Sequence, residues 1–324
     1  MAKKSWMYAQ LEAVQYEMRR DKSMVWLFEL TAPAASFPDL PVINLEKEFG
    51  RTRVCNTGID EMWYAAAALG SGLVGVRAVA YIPYQGNTMV FELIQEHVGK
   101  LHYMTGGAAT MPIVLILEES GQRPGYAGQH SDYEIDSYYM HVPGVKTVIP
   151  STPSDAKGLL VAAMHDPDPV MYINPAGLRP LVEDVPDEQF EVPIGKAAIR
   201  TTGTDITIVG SGASMPEVLA AAERLQKDGV SVEAIDLRSL KPMDVETLAN
   251  SVQKTRRLLT VDQTYYTLCP GAEVIASVAA EVSPAKFKRI AFPDAPPPAS
   301  PEMFNWMRPN DTRVYEAAKK LLAA

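Results

Sequence analysis

The chain has 324 residues, a net charge of −9 at pH 7, 47% apolar residues and 21% charged residues. This length allows a large core and two domains, and the composition is ordinary for a soluble globular protein. The negative charge, with no cluster of Lys or Arg, argues against a nucleic-acid partner, because phosphate binding needs a basic face.

The N-terminal half alternates predicted helices with apolar predicted strands. The first helix is predicted over residues 4–21, with Tyr8, Leu11, Val14 and Met18 on one face. Strands are predicted for the apolar runs at residues 24–28, 76–82, 111–117 and 170–173. Helices are predicted from residue 62 and at residues 87–104 and 154–164, and a loop at residues 31–42. This pattern is typical of a parallel sheet covered on both faces.

A polar, Pro-containing stretch at residues 180–194 is interpreted as an inter-domain linker. A second alternating pattern follows, with predicted strands and helices at residues 206–209, 215–227, 232–235, 244–253, 258–261 and 313–323. The sequence therefore predicts the α/β class, with two domains that are each a mainly parallel sheet flanked by helices. We place these domains at residues 1–185 and 186–324.

Composition and local sequence also indicate the cellular setting. Two cysteines, Cys55 and Cys269, exclude a disulfide scaffold, and no Cys/His spacing indicates zinc. Residues 1–6 lack the apolar run of a signal peptide. The longest apolar stretch ends at Arg77 and is shorter than the ~20 residues that span a bilayer. We expect a cytoplasmic protein without a membrane segment.

The acidic pair Asp60-Glu61 directly precedes the apolar helix from residue 62 and allows two interpretations. The commoner one is a helix N-terminus, where acidic side chains complement the helix dipole. In the other, Glu61 lies beside Trp63 and Tyr64, and a carboxyl group in such apolar surroundings works as a proton relay.

A histidine, His130, stands in the segment 128–132 after a loop rich in Gly and Pro. A side chain on such a loop can reach the cleft at the carboxyl ends of parallel strands, although a loop histidine is more often merely exposed. His141 is equally suited to capping a turn. His97 and His102, five residues apart, share no helix face for metal binding and are interpreted as structural.

The segment Gly210-Ser211-Gly212 follows a predicted strand and resembles a dinucleotide-binding loop. The third glycine of the G-x-G-x-x-G pattern is absent, because residue 215 is Met. We interpret the segment as a structural turn. The G-x-S-x-G, Walker A and H-E-x-x-H motifs do not occur. The residues alone thus predict a two-domain α/β protein with an acid–histidine site.

An ordered set of short motifs extends this interpretation, from about residue 5 to the C-terminus. The motifs are residues 56–61, 100–107, 129–131, 141–144, 150–158, 235–242 and 271–273. Together, in order and with this spacing, they resemble the β subunit of the E1 component of thiamine-diphosphate-dependent 2-oxo-acid dehydrogenases. That family includes the pyruvate, branched-chain and acetoin enzymes.

The resemblance implies a fold and a set of site residues. It implies a pyrimidine-binding domain followed by a transketolase-like C-terminal domain. Glu61 would contact N1′ of the aminopyrimidine and activate the cofactor, and His130 would act at the substrate end of the cleft. The implied cofactor-binding residues are Glu61, Ile59, Ile82, Tyr84 and Gly86. The implied substrate region contains Glu29, Gln129 and His130.

The resemblance also implies partners. The family holds diphosphate and Mg²⁺ with a G-D-G motif on an α subunit, and this chain contains no Gly-Asp-Gly. The expected assembly is therefore an α₂β₂ heterotetramer that is active only with its α subunit. A lipoyl-bearing E2 partner is left open. A monovalent cation, K⁺, is implied at Ala163, Asp166 and Asp168.

Several positions depart from the family and keep two alternative functions open. Gly86 replaces the usual stacking Phe, with Tyr84 as a substitute, and Trp63 replaces a Gly. Glu118 and Glu119 replace small residues near the expected substrate region. The alternatives are a carboligase or transketolase-like enzyme that does not use lipoamide, and a catalytically silent assembly subunit.

Overall fold

The computed structural model describes residues 1–29, 34–83, 86–119 and 135–324, and within them the chain divides into two compact units. The first comprises Met1–Glu119 and Tyr139–Ile194, and the second comprises residues 135–138 and Gly195–Ala324. Each unit has the mainly parallel, helix-flanked sheet that the sequence predicted. No described helix is both long enough and apolar enough to cross a membrane.

The first unit is built on a parallel sheet with the order β8-β9-β7-β6-β2-β5. The strands of the unit are β1 (Ala2–Ser5), β2 (Val25–Glu29), β3 (Ala34–Phe37), β4 (Leu40–Asn44), β5 (Val54–Thr57), β6 (Ala78–Ile82), β7 (Ile113–Glu119), β8 (Lys146–Val148), β9 (Val170–Pro175) and β10 (Val182–Val185). Every residue of β7 is buried, as expected for a strand that is covered on both faces.

Helices and helical turns connect these strands. They are α1 (Trp6–Arg20), α2 (Leu45–Phe49), α3 (Glu61–Leu73), α4 (Gly86–Met89), a π-helical segment (Leu93–Val98), α5 (Leu101–Met104), α6 (Ile135–His141), α7 (Pro153–His165) and a 3₁₀ turn (Ala176–Leu178). Side chains of α1 and α7, such as Leu11, Val14 and Leu159, pack with strand residues Val114 and Tyr172 in one core. This packing fixes one face of the sheet.

Three local predictions differ from the structure. The first helix begins at Trp6, because the residues before it form β1, which pairs antiparallel with β10 inside the expected linker. The helix predicted at residues 87–104 is divided into α4, the π-helical segment and α5. Part of the stretch expected to be a loop forms the β3–β4 hairpin. In each case a pairing or packing partner overrides local sequence preference.

The second unit contains a five-stranded sheet with the order β11-β13-β12-β15-β16, antiparallel only at its β11 edge. The strands of this sheet are β11 (Ala198–Thr201), β12 (Ile206–Gly210), β13 (Val232–Asp236), β15 (Arg257–Tyr265) and β16 (Lys286–Phe292), and the short strand β14 (Ser239–Lys241) is not part of it. Its helices are α8 (Met215–Lys227), α9 (Val245–Thr255), α10 (Pro270–Glu281), α11 (Pro301–Met307) and α12 (Asp311–Ala323). Apolar residues of α8 and α12 form one core with the sheet.

The turn after β12, at Gly210-Ser211-Gly212, is filled by its own side chains. The Ser211 N–H donates to Oγ of Ser214, and the Ser214 hydroxyl donates back to the Ser211 carbonyl. A Cβ on Gly210 would stand 2.6 Å from that same Oγ atom. This closed strand-to-helix turn leaves no room for a phosphate group against Gly210.

Candidate functional site

Asp60 and Glu61, the acidic pair at the start of α3, occupy different environments: one caps the helix and the other is buried. Asp60 is the N-cap, and its exposed carboxylate accepts a hydrogen bond of 3.0 Å from the Trp63 N–H. Glu61 is the first residue of the helix and is only 4% exposed. The capping requirement is therefore met by Asp60, so the burial of Glu61 needs another explanation.

Glu61 packs against a glycine at the carboxyl end of β6. A Cβ on Gly86 would stand 2.9 Å from Cβ of Glu61 and 2.9 Å from Cγ2 of Ile82, and closer still to Cγ of Glu61. Such separations are not tolerated, so this backbone accepts only glycine at position 86 unless Glu61 moves. The structure thus brings together three of the predicted cofactor-binding residues.

The Ile59 side chain is exposed, unlike Glu61, Ile82 and Gly86. Its side chain is 61% exposed and lies in the turn between β5 and α3. Trp63, one turn into the helix, is also largely exposed. Both side chains therefore present apolar surface beside the buried carboxylate of Glu61.

A buried asparagine that sequence reasoning missed lies next to Gly86. The Asn87 side-chain amide donates to the Glu118 carbonyl at 2.8 Å, and the Tyr139 hydroxyl donates to the Asn87 carbonyl. Within the described residues, Oδ1 of Asn87 is buried and has no hydrogen-bond partner. An acceptor of this kind suits a ligand N–H group. A lone Asn after a glycine carries no sequence signal that would have revealed it.

One of the two glutamates expected near the substrate, Glu118, forms an ion pair inside the first unit. Glu118 is buried and ion-paired with Arg179, which also donates to the Tyr81 hydroxyl. Burial, and then the charge of Glu118, raises the pKa of Tyr81. Successive strand residues point to opposite faces, so this cluster lies on the face of β6 opposite to Ile82. Glu118 therefore stabilises the sheet and is not directed toward the Glu61–Gly86 contact.

Other predicted site residues lie outside the described residues. They are Tyr84, Gln129 and His130, together with the side chain of Glu29. Their roles at the cofactor and substrate stay predictions.

The two aspartates expected to hold K⁺ both pair with the partly exposed ammonium group of Lys146. Nζ of Lys146 lies 2.7 Å from both carboxylate oxygens of Asp166 and 3.2 Å from Oδ2 of Asp168. The Asp166 N–H donates to the Ala163 carbonyl at 3.3 Å. Both carboxylates already contact this ammonium group, which offsets one of their two negative charges. K⁺ at this position would therefore also depend on backbone carbonyls. The cation stays a prediction.

The described residues contain no group of three or more His, Cys, Asp or Glu side chains suited to a metal ion.

Comparison with known proteins adds to this geometry. Residues 2–179 match the family model of the transketolase pyrimidine binding domain, and residues 195–314 match that of the transketolase C-terminal domain. Among solved structures, a chain described as a split gene transketolase, inactive beta4 tetramer, superposes with a TM-score of 0.80 at 19% identity, over 98% of both chains. That likeness bears on the fold alone.

Curated relatives cover most of the chain. Pyruvate dehydrogenase E1 component subunit beta of Bacillus subtilis is 37% identical over 287 residues, 86% of each chain. The subunit of the same name from Acholeplasma laidlawii is 34% identical over 312 residues, 94% of each chain. Acetoin:2,6-dichlorophenolindophenol oxidoreductase subunit beta of Bacillus subtilis is 32% identical over 328 residues, 96% of this chain and 95% of the relative.

Proposed function

This chain belongs to the E1 β-subunit family, with a transketolase pyrimidine-binding domain followed by a transketolase C-terminal domain, and we propose its function from that premise. It is the β-type subunit of a thiamine-diphosphate-dependent enzyme. The enzyme cleaves or transfers the acyl or aldehyde unit of a 2-oxo acid or an acyloin.

The observation that carries this proposal is the buried carboxylate of Glu61 held against Gly86. A glutamate that is not needed as a helix cap, and that packs on a residue without a side chain, fits one edge of an aminopyrimidine ring. The unpartnered Oδ1 of Asn87 supplies a hydrogen-bond acceptor nearby in the sequence. The residues present therefore fit the pyrimidine half of thiamine diphosphate.

Thiamine diphosphate, when bound, supplies the carbanion chemistry of such enzymes. The proposed role of this subunit is to hold and transfer a proton. Glu61 would share a proton with N1′ of a bound pyrimidine, and its burial would exclude water that competes for that proton. Ile82 and Gly86 fix the position of the glutamate stem. His130 donates a hydrogen bond or a proton to the oxygen of the substrate, as the family resemblance implies.

The diphosphate and Mg²⁺ are held by a separate α-type subunit. The full sequence has no Gly-Asp-Gly, and the described residues offer no metal cluster. Large apolar side chains are exposed on and near the helices of the first unit, which suits burial against a partner chain. They are Ile59, Trp63, Leu73, Val74, Met89, Tyr103 and Met104. We expect an α₂β₂ heterotetramer.

Calorimetric titration tests this assignment. The chain would be co-expressed with a candidate α-type subunit, and the complex and the chain alone would each be titrated with thiamine diphosphate and Mg²⁺. Binding by the complex only supports the divided site. Tight binding by the chain alone contradicts the placement of the phosphate site on the partner. A complex that carries Glu61→Ala should assemble but bind the cofactor more weakly.

Product analysis separates the main function from its alternatives. Gly86 and the exposed Trp63 change the surroundings of the pyrimidine edge relative to the family pattern, which keeps a carboligase function in view. Acyl transfer to a lipoyl acceptor as the main reaction would exclude the carboligase and establish an E2 partner. Complete absence of cofactor binding by the assembled complex would instead indicate a silent subunit.

A further inference from the structure

The backbone that carries Gly86 belongs to a helix too short to hold its own position. α4 has only four residues, Gly86–Met89, and an isolated helix of fewer than about 12 residues is marginal in water. Contacts with other elements must therefore fix α4. Its position matters for Glu61, because a Cβ on Gly86 would stand 2.9 Å from Cβ of Glu61.

Asn87 makes two buried hydrogen bonds that tie α4 to its neighbours. The residue is 1% exposed, and its side-chain amide donates to the Glu118 carbonyl at 2.8 Å. Glu118 is the residue of β7 just beyond the pair Ile82–Leu117, where β6 ends. The second bond fixes the backbone, because the Tyr139 hydroxyl donates to the Asn87 carbonyl. Together the two bonds hold α4 at the carboxyl end of β6.

Tyr139 itself lies in a closely packed place. Its side chain is fully buried, and its ring lies edge-on to the ring of Phe91, with the two centroids 5.6 Å apart. The chain that follows α6 packs backbone against backbone on the end of the π-helical segment, since a Cβ on Gly144 would stand 1.8 Å from the Gly99 carbonyl oxygen. The Tyr139 hydroxyl therefore comes from an element that has little room to move.

We propose that Tyr139 is a positioning residue for the Glu61 proton relay. Its hydroxyl holds the Asn87 carbonyl, and the adjacent Gly86 backbone then limits where the stem of Glu61 lies. Tyr139 needs no contact of its own with cofactor or substrate. The inference rests on the function proposed above, because it assigns a role within the same site.

A buried tyrosine hydroxyl can also serve stability alone, and Tyr172 provides the comparison. It is fully buried, its hydroxyl donates to the Ala156 carbonyl at 2.9 Å, and it accepts from the Gln10 amide at 3.0 Å. Tyr172 belongs to the core formed with α1 and α7, on the sheet face opposite to Ile82. Tyr172→Phe should therefore cost at least as much stability as Tyr139→Phe without affecting Glu61.

Hydrogen–deuterium exchange of the chain alone tests the attachment of α4 without any cofactor. The Val90 N–H donates to the Gly86 carbonyl at 3.0 Å and so reports on this helix. Tyr139→Phe keeps the ring and removes only the hydroxyl, so the Val90 N–H should exchange about fivefold faster than in wild type. Tyr172→Phe should leave its exchange unchanged. An unchanged exchange rate in Tyr139→Phe would overturn the attachment.

Proton exchange at C2 of bound thiamine diphosphate, followed by NMR, tests the effect on Glu61 in the assembled complex. The rate in the Tyr139→Phe complex should be about fivefold to tenfold below that of wild type, because a small displacement of the relay slows proton transfer. Cofactor affinity and substrate KM should stay within about twofold of wild type. A wild-type exchange rate in Tyr139→Phe, or an equal loss in Tyr172→Phe, would refute the positioning role.

A combined variant distinguishes action through Glu61 from a general effect. Adding Tyr139→Phe to Glu61→Gln should slow C2 exchange by less than about twofold, because the relay on which Tyr139 acts is already absent. A further loss as large as that in the single variant would contradict this route. A wild-type complex that binds no thiamine diphosphate would refute the proposed function and the effect on the relay, whereas exchange in the chain alone would still decide whether Tyr139 holds α4.

Discussion

The Glu61 side chain occupies the space into which any side chain at position 86 would project. Cβ of Glu61 lies only 2.9 Å from the place of a Cβ on Gly86. Glu61 therefore packs on backbone at position 86, where the family resemblance implies a ring that stacks on the aminopyrimidine. The position of the proposed proton relay thus depends on a glycine.

Gly86→Ala should therefore reduce activity strongly. The added methyl group must displace Glu61 or Ile82, and a shift of about 1 Å in a reacting group can cost about 10²-fold in rate. Steady-state kinetics of the assembled complex would measure this loss. Gly70→Ala in α3 is a matched control, because its Cβ would meet nothing within 4 Å. Equal activity of the two variants would contradict the bracing role.

Glu61→Gln should assemble normally and lose catalysis. The amide keeps the shape of the side chain but cannot accept and return a proton, and general acid–base catalysis typically contributes about 10²–10⁴-fold. The rate constant of the complex would be compared with thiamine-diphosphate affinity measured by calorimetry. A Glu61→Gln complex with more than half of the wild-type rate constant would rule out the relay.

Glu12→Gln should be among the most destabilising single changes in the first unit. The carboxylate of Glu12 lies 2.8 Å from Nζ of Lys4 and 2.6 Å from Nζ of Lys157, and both lysines are fully buried. Removing one partner from a buried ion pair costs about 3–5 kcal/mol. Without Glu12, Lys157 would keep only the carbonyl oxygens of Pro186 and Asp187, whereas Lys4 would keep the Asp187 carboxylate at 2.9 Å. Urea denaturation of the chain would measure this change.

The matched control for that variant is Glu46→Gln. Glu46 pairs at 2.9 Å with Arg51, whose side chain is highly exposed. Exposed pairs contribute about 1 kcal/mol or less. Similar losses for the two variants would show that the buried lysines do not depend on Glu12.

The stability of the chain should respond to pH through Asp136. Burial raises its pKa in the folded chain to about 7, above its ordinary value of 3.8, so the folded state keeps a proton that the unfolded state releases. This stabilisation is complete below the ordinary value and is lost as pH rises through 7. As pH rises from 5 to 8, the unfolding free energy of wild type should thus fall relative to that of Asp136→Asn, by up to about 1.4 kcal/mol per pH unit. A constant difference across this range would contradict the raised pKa.

The strands of the sheets and the longer helices followed from local patterns in the sequence. The apolar run that forms β7 and the amphipathic spacing of α1 can each be recognised from residues close together in the sequence. The pairing of β1 with β10 joins residues about 180 positions apart, and no local pattern carries that information. The π-helical segment likewise reflects tertiary packing within a helix that the sequence predicted to be continuous.

At the candidate site, too, some features were predictable from the sequence and others depend on tertiary contacts. Local sequence favoured a simple helix N-terminus for Asp60-Glu61, and the family resemblance singled out Glu61. The structure places Glu61, buried, at the first turn of α3. The contact with Gly86 and the unpartnered oxygen of Asn87 depend on segments that meet only after folding. Sequence spacing gives no signal for such meetings.

The antiparallel pair of β1 and β10 has a consequence for synthesis of the chain. Ala2 pairs with Val185, so β1 is synthesised about 180 residues before the strand with which it pairs. The first unit can begin to collapse around α1 and its parallel strands, but it cannot close until β10 has emerged. During that interval the edge of β1 is unpaired, and a stalled or truncated product that ends before residue 182 would expose it to association with other chains.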